Sequence, residues 1–358
     1  MKSKRIIGII LIAALALTGC NAGQMTVDTS VSESLEIVDT AASETETTLP
    51  ETEALVPFEF NAHVYSQTMS ERFPQEYWDS FYNLCDALRV GESSFECASQ
   101  EAYEWAISGS ALANLFPAAC LKVDDKFNDG TVPFENGTGH IHYNMPVEEF
   151  VQRQADFEEM IVDILNSTLE SDDTEYERAL KLYLYVAENY DYDYSDRTDR
   201  VDENGYVYST FMSHSGVCVN YGSVYAYLLL QVGIDAFNVG CFEDGMDHAW
   251  TYAVINGKGY HIDTTWALKS CYPGVGNVYL DYFMMSDVQR DYDGCLVRDL
   301  TVQLLPEFWV NRTSITLTAD DDHYCIRDYC EFLSLDEENK IVHYEDLYGE
   351  RKEFYYGD

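Results

Sequence analysis

The chain has 358 residues, 63 of them acidic and 21 basic, for a formal net charge of −42. That balance excludes nucleic acid as a partner, because phosphate backbones are bound by basic surfaces. The acids are spread along the chain, so their first consequence is solubility; a cationic substrate is also compatible.

Lys2, Lys4 and Arg5 precede an apolar run over residues 6–17 and then Leu17-Thr18-Gly19-Cys20. The run is too short to span a bilayer and has the layout of a secretory leader. Its end resembles a bacterial lipobox. This implies cleavage before Cys20, lipid on the Cys20 thiol, and an extracytoplasmic protein anchored to a bacterial membrane. Residues 21–57 are rich in Ser, Thr, Glu and Ala, without Lys, Arg or an aromatic side chain. Such a segment buries too little apolar surface to fold and reads as an acidic, extended tether.

The remainder, about 300 residues, exceeds the usual size of one compact core and suggests two units or one decorated domain. Residues 58–165 form a helix-rich N-terminal region. Amphipathic helices are expected at 75–90, 100–116 and 147–165, with a strand at 139–144. Residues 166–300 follow as the candidate catalytic domain. A helix is expected at 174–188, with Asp172 or Thr174 as its cap, then a loop at 201–213. The next helix spans 219–230 and closes at Gly233. Strands at 248–255 and 260–266 flank Asn256-Gly257, a strong two-residue turn signal. Residues 279–286 pack on the core. Strands at 308–318 and 331–356 make 301–358 a β-rich extension.

Three residues in this order carry the chemistry. Cys218 opens the 219–230 helix, where unpaired N–H groups and the macrodipole favour the thiolate, the species that attacks. Gly216 permits a sharp entry turn. If Asn256 and Gly257 form the whole loop, Asp263 falls opposite Trp250 and diagonal to His248 on the same face, about 7–8 Å away. His248 can then take the Cys218 proton while Asp263 fixes its tautomer. The Cys218 N–H is a natural oxyanion donor. Trp250 and Trp266 read as packing residues that wall the site, with direct substrate contact as the lesser alternative.

At Gly216-Val217-Cys218-Val219-Asn220-Tyr221, Gly233-Ile234, His248-Ala249-Trp250 and Asp263-Thr264-Thr265-Trp266 the chain resembles the transglutaminase-like superfamily. Tyr190-Asp191-Tyr192-Asp193 is a further match upstream. The resemblance covers about residues 170–270. It implies a papain-related α+β core, with the nucleophile at a helix N-terminus packed on an antiparallel sheet and Cys218, His248 and Asp263 as the triad. The third motif carries Thr264 where the family has proline.

No cofactor is expected. Asp320-Asp321-Asp322, Asp172-Asp173 and Asp191-Tyr192-Asp193 leave a structural calcium as a hypothesis, without an EF-hand loop to support it. His140 and His142 lack a third metal ligand. Besides Cys20 and Cys218, eight cysteines remain, compatible with disulfides or with free buried thiols. The favoured reading is a surface-anchored thiol enzyme that cleaves or transfers amide bonds of a protein or peptide, such as a cell-wall peptide, with hydrolysis ahead of transfer. The alternative is a catalytically silent binding or scaffold lipoprotein.

Overall fold

The computed structural model describes residues 56–195, 206–243, 246–272, 275–295, 297, 300–302, 304 and 314–357. The expected leader, Cys20 and nearly all of the expected tether lie outside them. In chain order, α1 (Gln75–Val90) and β1 (Ser94–Glu96) precede α2 (Gln100–Ala106) and α3 (Gly109–Leu115). The short β2 (Val123–Asp124), β3 (Phe134–Glu135), β4 (Thr138–His140) and β5 (His142–Tyr143) lead to α4 (Val147–Thr168) and α5 (Glu175–Asn189). Then come β6 (Asp191–Tyr192), α6 (Tyr206–Ser213), β7 (Ser215–Gly216) and α7 (Cys218–Gln231). The long β8 (Asp235–Glu243) and β9 (Met246–Ile255) are followed by β10 (Lys258–Ile262), α8 (Thr264–Ala267) and α9 (Asp287–Tyr292). Last are β11 (Leu300–Val302), β12 (Ser314–Ile315), β13 (Glu331–Asp336), β14 (Ile341–Glu345) and β15 (Arg351–Tyr355).

The architecture is α+β. An antiparallel sheet in the order β10-β9-β8-β11-β12 carries α7 across β8 and β9, and α5 packs on α7. Because strand residues alternate between faces, the sheet feeds two apolar clusters. Phe237, Val239, Trp250 and Tyr252 enter the one built with α1 and α2. Ala236, Ala253 and Ile255 enter the one built with α5 and α7. Residues Ala54–Asp358 form one compact unit.

Some expected elements differ. The helix expected at 100–116 is two, because Ser108 turns extended and its hydroxyl accepts from Ala111 N at 3.2 Å, starting α3 afresh. The strand at 139–144 divides between β4, paired with β1 and β3, and β5, paired with β2. The expected loop at 201–213 contains α6 in its described part. The strand at 260–266 stops at Ile262, where Asp263 leaves the ladder to cap α8. Of 308–318, the described part holds β12. Thr174 does cap α5, reciprocally with Glu177.

β13, β14 and β15 form a separate sheet docked on α5, with Tyr176 and Tyr356 stacked at 4.5 Å. Cys85, Cys97, Cys120, Cys218, Cys241, Cys271, Cys295, Cys325 and Cys330 are all free thiols. Among the described residues no helix is long and apolar enough to cross a membrane.

Candidate active site

Cys218 is the first residue of α7 and is half-buried. In the first turn of a helix the N–H groups have no acceptor ahead of them, so Cys218 and Val219 present theirs outward. The entry is held by Asn220, whose Oδ1 accepts from Val217 N at 2.9 Å. Gly216 lies in β7 with no positive φ, so its role is space rather than a sharp turn. A Cβ there would meet Asn220 Cβ at 2.8 Å. β7 pairs in parallel with β6, which places Asp191 and Tyr192 beside the approach to Cys218.

Close packing brings α7 onto β9. A Cβ on Gly222 would lie 2.5 Å from Asn238 Nδ2 and 3.0 Å from the Trp250 carbonyl oxygen, so only glycine permits this approach. Thr251 Oγ1 donates to Gly222 O at 2.8 Å, and Asn238 Nδ2 donates to Val219 O at 2.8 Å. Ser223 Oγ donates in turn to Asn114 Oδ1 of α3 at 2.8 Å. These buried bonds fix the height of the Cys218 end of α7 over the sheet.

The hairpin sets the other two groups. Asn256 and Gly257 both have positive φ, 51° and 74°, and Lys258 pairs directly with Ile255. The register ends with Ile262 opposite Thr251, so the next residue, Asp263, lies level with Trp250 and diagonal to His248. His248 Nε2 sits 2.6 Å from Asp263 Oδ2. Asp263 Oδ1 accepts from Thr265 N at 3.0 Å and Trp266 N at 3.2 Å, which fixes the plane of the carboxylate. With Nε2 engaged, Nδ1 is the ring nitrogen left for Cys218.

Burial works against charge on His248, but the Asp263 carboxylate, by charge and hydrogen bond, and a hydrogen bond with Cys218 raise it to about 9. Burial likewise pushes the Asp263 carboxyl up, and the charges of His248 and Arg290 overcome that and hold it below its ordinary value. The pair is therefore imidazolium and carboxylate at neutral pH.

Trp266 stacks on His248 with ring centres 4.7 Å apart. Trp250 has no exposed surface, so it takes the packing role expected of it and not the alternative of substrate contact. Its Nε1 donates to His261 Nδ1 at 2.9 Å, and His261 Nε2 faces Asp287 Oδ1 at 2.9 Å. Sequence reasoning missed Arg290 of α9. This fully buried guanidinium donates from Nη2 to Asp263 Oδ2 at 2.8 Å. No local pattern in Asp287-Val288-Gln289-Arg290-Asp291-Tyr292 distinguishes it from a surface arginine.

Among the described residues no group of three or more His, Cys, Asp or Glu is placed to hold a metal. Asp321 is engaged by Lys258 and Tyr260, both at 2.7 Å. Asp173 is engaged by Lys181 at 2.6 Å, and His142 faces Asp124 at 2.8 Å.

Residues 163–264 match the model of the transglutaminase-like superfamily. That stretch contains Cys218, His248 and Asp263. Among solved structures, a Cytophaga hutchinsonii protein described as a "putative cysteine protease" is similar at 19% identity, over 28% of this chain and 33% of that one, with a TM-score of 0.22. The chain thus spans about a third of that protein's length. No curated protein matches the chain.

Proposed function

Residues 163–264 are a transglutaminase-like domain, and from that premise we propose that the chain is a thiol enzyme acting on amide or peptide bonds. Cys218 is the nucleophile, His248 the general base and acid, and Asp263 the group that orients the ring. The observation that carries this reading is the buried 2.6 Å pair of His248 and Asp263 next to the helix N-terminus that bears Cys218.

Cys218 Sγ and His248 stand as thiolate and imidazolium, the thiol proton already on the ring, and the thiolate attacks the carbonyl carbon. As the S–C bond forms, the carbonyl π electrons move to oxygen, which accepts from the Cys218 N–H. Collapse breaks the C–N bond. The leaving amine takes the proton from His248, and a thioester remains. Water, deprotonated by His248, then attacks the thioester and releases the acid and the thiol. An amine in place of water gives acyl transfer. Hydrolysis is favoured because water needs no second binding site. None of these steps calls for a cofactor.

The leader and Cys20 support attachment to a bacterial membrane through lipid, and with it a protein or peptide substrate outside the cytoplasm, such as a cell-wall peptide. The net charge supports the exclusion of nucleic acid.

The test is the pH dependence of iodoacetamide labelling at Cys218, read by peptide mass spectrometry, in the unaltered chain and in His248→Ala. Fast labelling that persists well below pH 8 and collapses in the variant is expected. Labelling at the rate of an ordinary exposed thiol, indifferent to His248, would point to a silent scaffold.

A further inference from the structure

Arg290 has no exposed surface, yet its surroundings pair its charge sparingly. The guanidinium carbon lies 4.2 Å from the ring centre of Trp250 and 4.5 Å from that of Trp266. Its short ionic contact is to Asp263 Oδ2 at 2.8 Å. Asp293 Oδ2 stands farther off, 3.8 Å from Nη1, and both Asp293 oxygens are already engaged by Arg327. Nε and Nη1 have no hydrogen-bond partner among the described residues. An apolar side chain between two indoles would avoid the desolvation of a cation, which in general offsets much of what a buried ion pair contributes. A cation kept in such a place needs a reason beyond packing.

The reason lies in the shared atom. Asp263 Oδ2 accepts from Arg290 Nη2 and faces His248 Nε2 at 2.6 Å, while Oδ1 is occupied by backbone N–H groups. We propose that Arg290 is a positioning residue of the triad: it holds Asp263 ionised and in plane, and it competes with His248 for one carboxylate oxygen. The competition limits how strongly Asp263 stabilises the imidazolium, so that His248 can release its proton to the leaving amine. This role rests on the thiol-enzyme reading of Cys218, His248 and Asp263.

The titratable groups that face the pair leave Arg290 as the charge that acts. Burial pushes Tyr183 of α5 up, and it pushes Cys295, after α9, up to about 12, so both are neutral where His248 titrates. Burial also lowers His261 of β10, which keeps that ring uncharged. Cys241 of β8 pairs opposite His248, and Cys218 of α7 is the nucleophile itself.

The experiment is an NMR titration of His248 in the full chain carrying Cys218→Ala, so that the thiol does not titrate with it. Arg290→Met is expected to raise the midpoint by roughly one pH unit, because a cation a few ångströms away is lost. Arg290→Lys, which keeps a cation beside Asp263 without the planar guanidinium, is expected to recover part of that shift. An unmoved midpoint in Arg290→Met overturns the proposal. If Arg290→Met does not fold, the guanidinium resonances of Arg290 in the otherwise unaltered chain replace it. They are expected to move at the His248 midpoint, and resonances indifferent to it overturn the proposal. Labelling of Cys218 separates the two ideas: slow, His248-independent labelling removes the enzyme reading, while the titration still decides the role of Arg290.

Discussion

Asp263 and Glu177 are both buried carboxylates at a helix N-terminus, and both meet a cation. They serve different regions. Glu177 accepts from Lys340 Nζ, Thr174 N and Thr174 Oγ1, all at 2.7 Å, and from Tyr356 Oη at 2.5 Å. Its donors are the N-cap residue of α5 and two residues at the ends of the C-terminal strands. Asp263 instead divides one oxygen between an imidazole and a guanidinium that is itself incompletely paired. The first arrangement is saturated and joins two parts of the fold. The second holds a proton that can move.

The difference is open to attack at each end. The largest effect is expected from Asp263→Asn, which removes the charge that keeps His248 near 9 instead of its ordinary 6.5. Labelling of Cys218 at pH 7.5, where the unaltered imidazole is protonated and an ordinary one is not, should fall by about tenfold, the factor by which the imidazolium fraction drops. A rate within a few-fold of the unaltered chain would break the assignment of Asp263. Glu177→Ala should do the reverse. It leaves Lys340 and Tyr356 without their acceptor and should cost about 2–3 kcal/mol in denaturant unfolding, with Cys218 labelling unchanged. A loss of labelling there would mean that the C-terminal sheet supports the site after all.

The two carboxylate sites also sit at opposite edges of the pH range. Burial pushes Glu177 up, but its hydrogen bonds to Lys340, Tyr356 and Thr174 hold it down at about 2, below the ordinary 4.5. Its stabilisation is therefore complete above 4.5 and lost as pH falls toward 2. His248 has a raised folded value, so its contribution is complete below 6.5 and lost as pH rises through about 9. Unfolding free energies measured across this range should show Glu177→Gln flattening the acid side alone and His248→Ala the alkaline side alone.

The site was legible where a short-range rule sets a long-range contact. Asn256-Gly257 adopts the backbone of a two-residue hairpin turn, and that turn dictates that Asp263 comes level with Trp250. The amphipathic stretch at 75–90 is likewise α1, because its apolar spacing is long and regular. The break at Ser108 was hidden because a serine cap inside a helix-like composition looks like an ordinary helical residue. α6 was hidden because Tyr206-Val207-Tyr208-Ser209-Thr210 has local preferences closer to strand or loop than to helix. Arg290 was illegible in principle. Its neighbours are Asp263, Trp250 and Trp266, all more than twenty residues away, and its own helix is short and charged.

The smallest change tests whether position, apart from charge, separates the two regions. Gly222→Ala adds one methyl group where α7 crosses β9, and the atoms it meets cannot move aside cheaply. Asn238 Nδ2, 2.5 Å from the new carbon, is buried and bonded to Val219 O and Ser223 Oγ. The carbonyl of Trp250, 3.0 Å away, belongs to the strand that carries His248. Helix and strand must part by several tenths of an ångström, at a cost of about 1–2 kcal/mol. Because Cys218 rides on the helix and His248 on the strand, the same displacement separates thiol from imidazole. Labelling near pH 6 should slow several-fold while every ionisable group remains in place. An unchanged labelling rate in a destabilised variant would show that the pairing of Cys218 with His248 tolerates that movement, and that charge alone distinguishes Asp263 from Glu177.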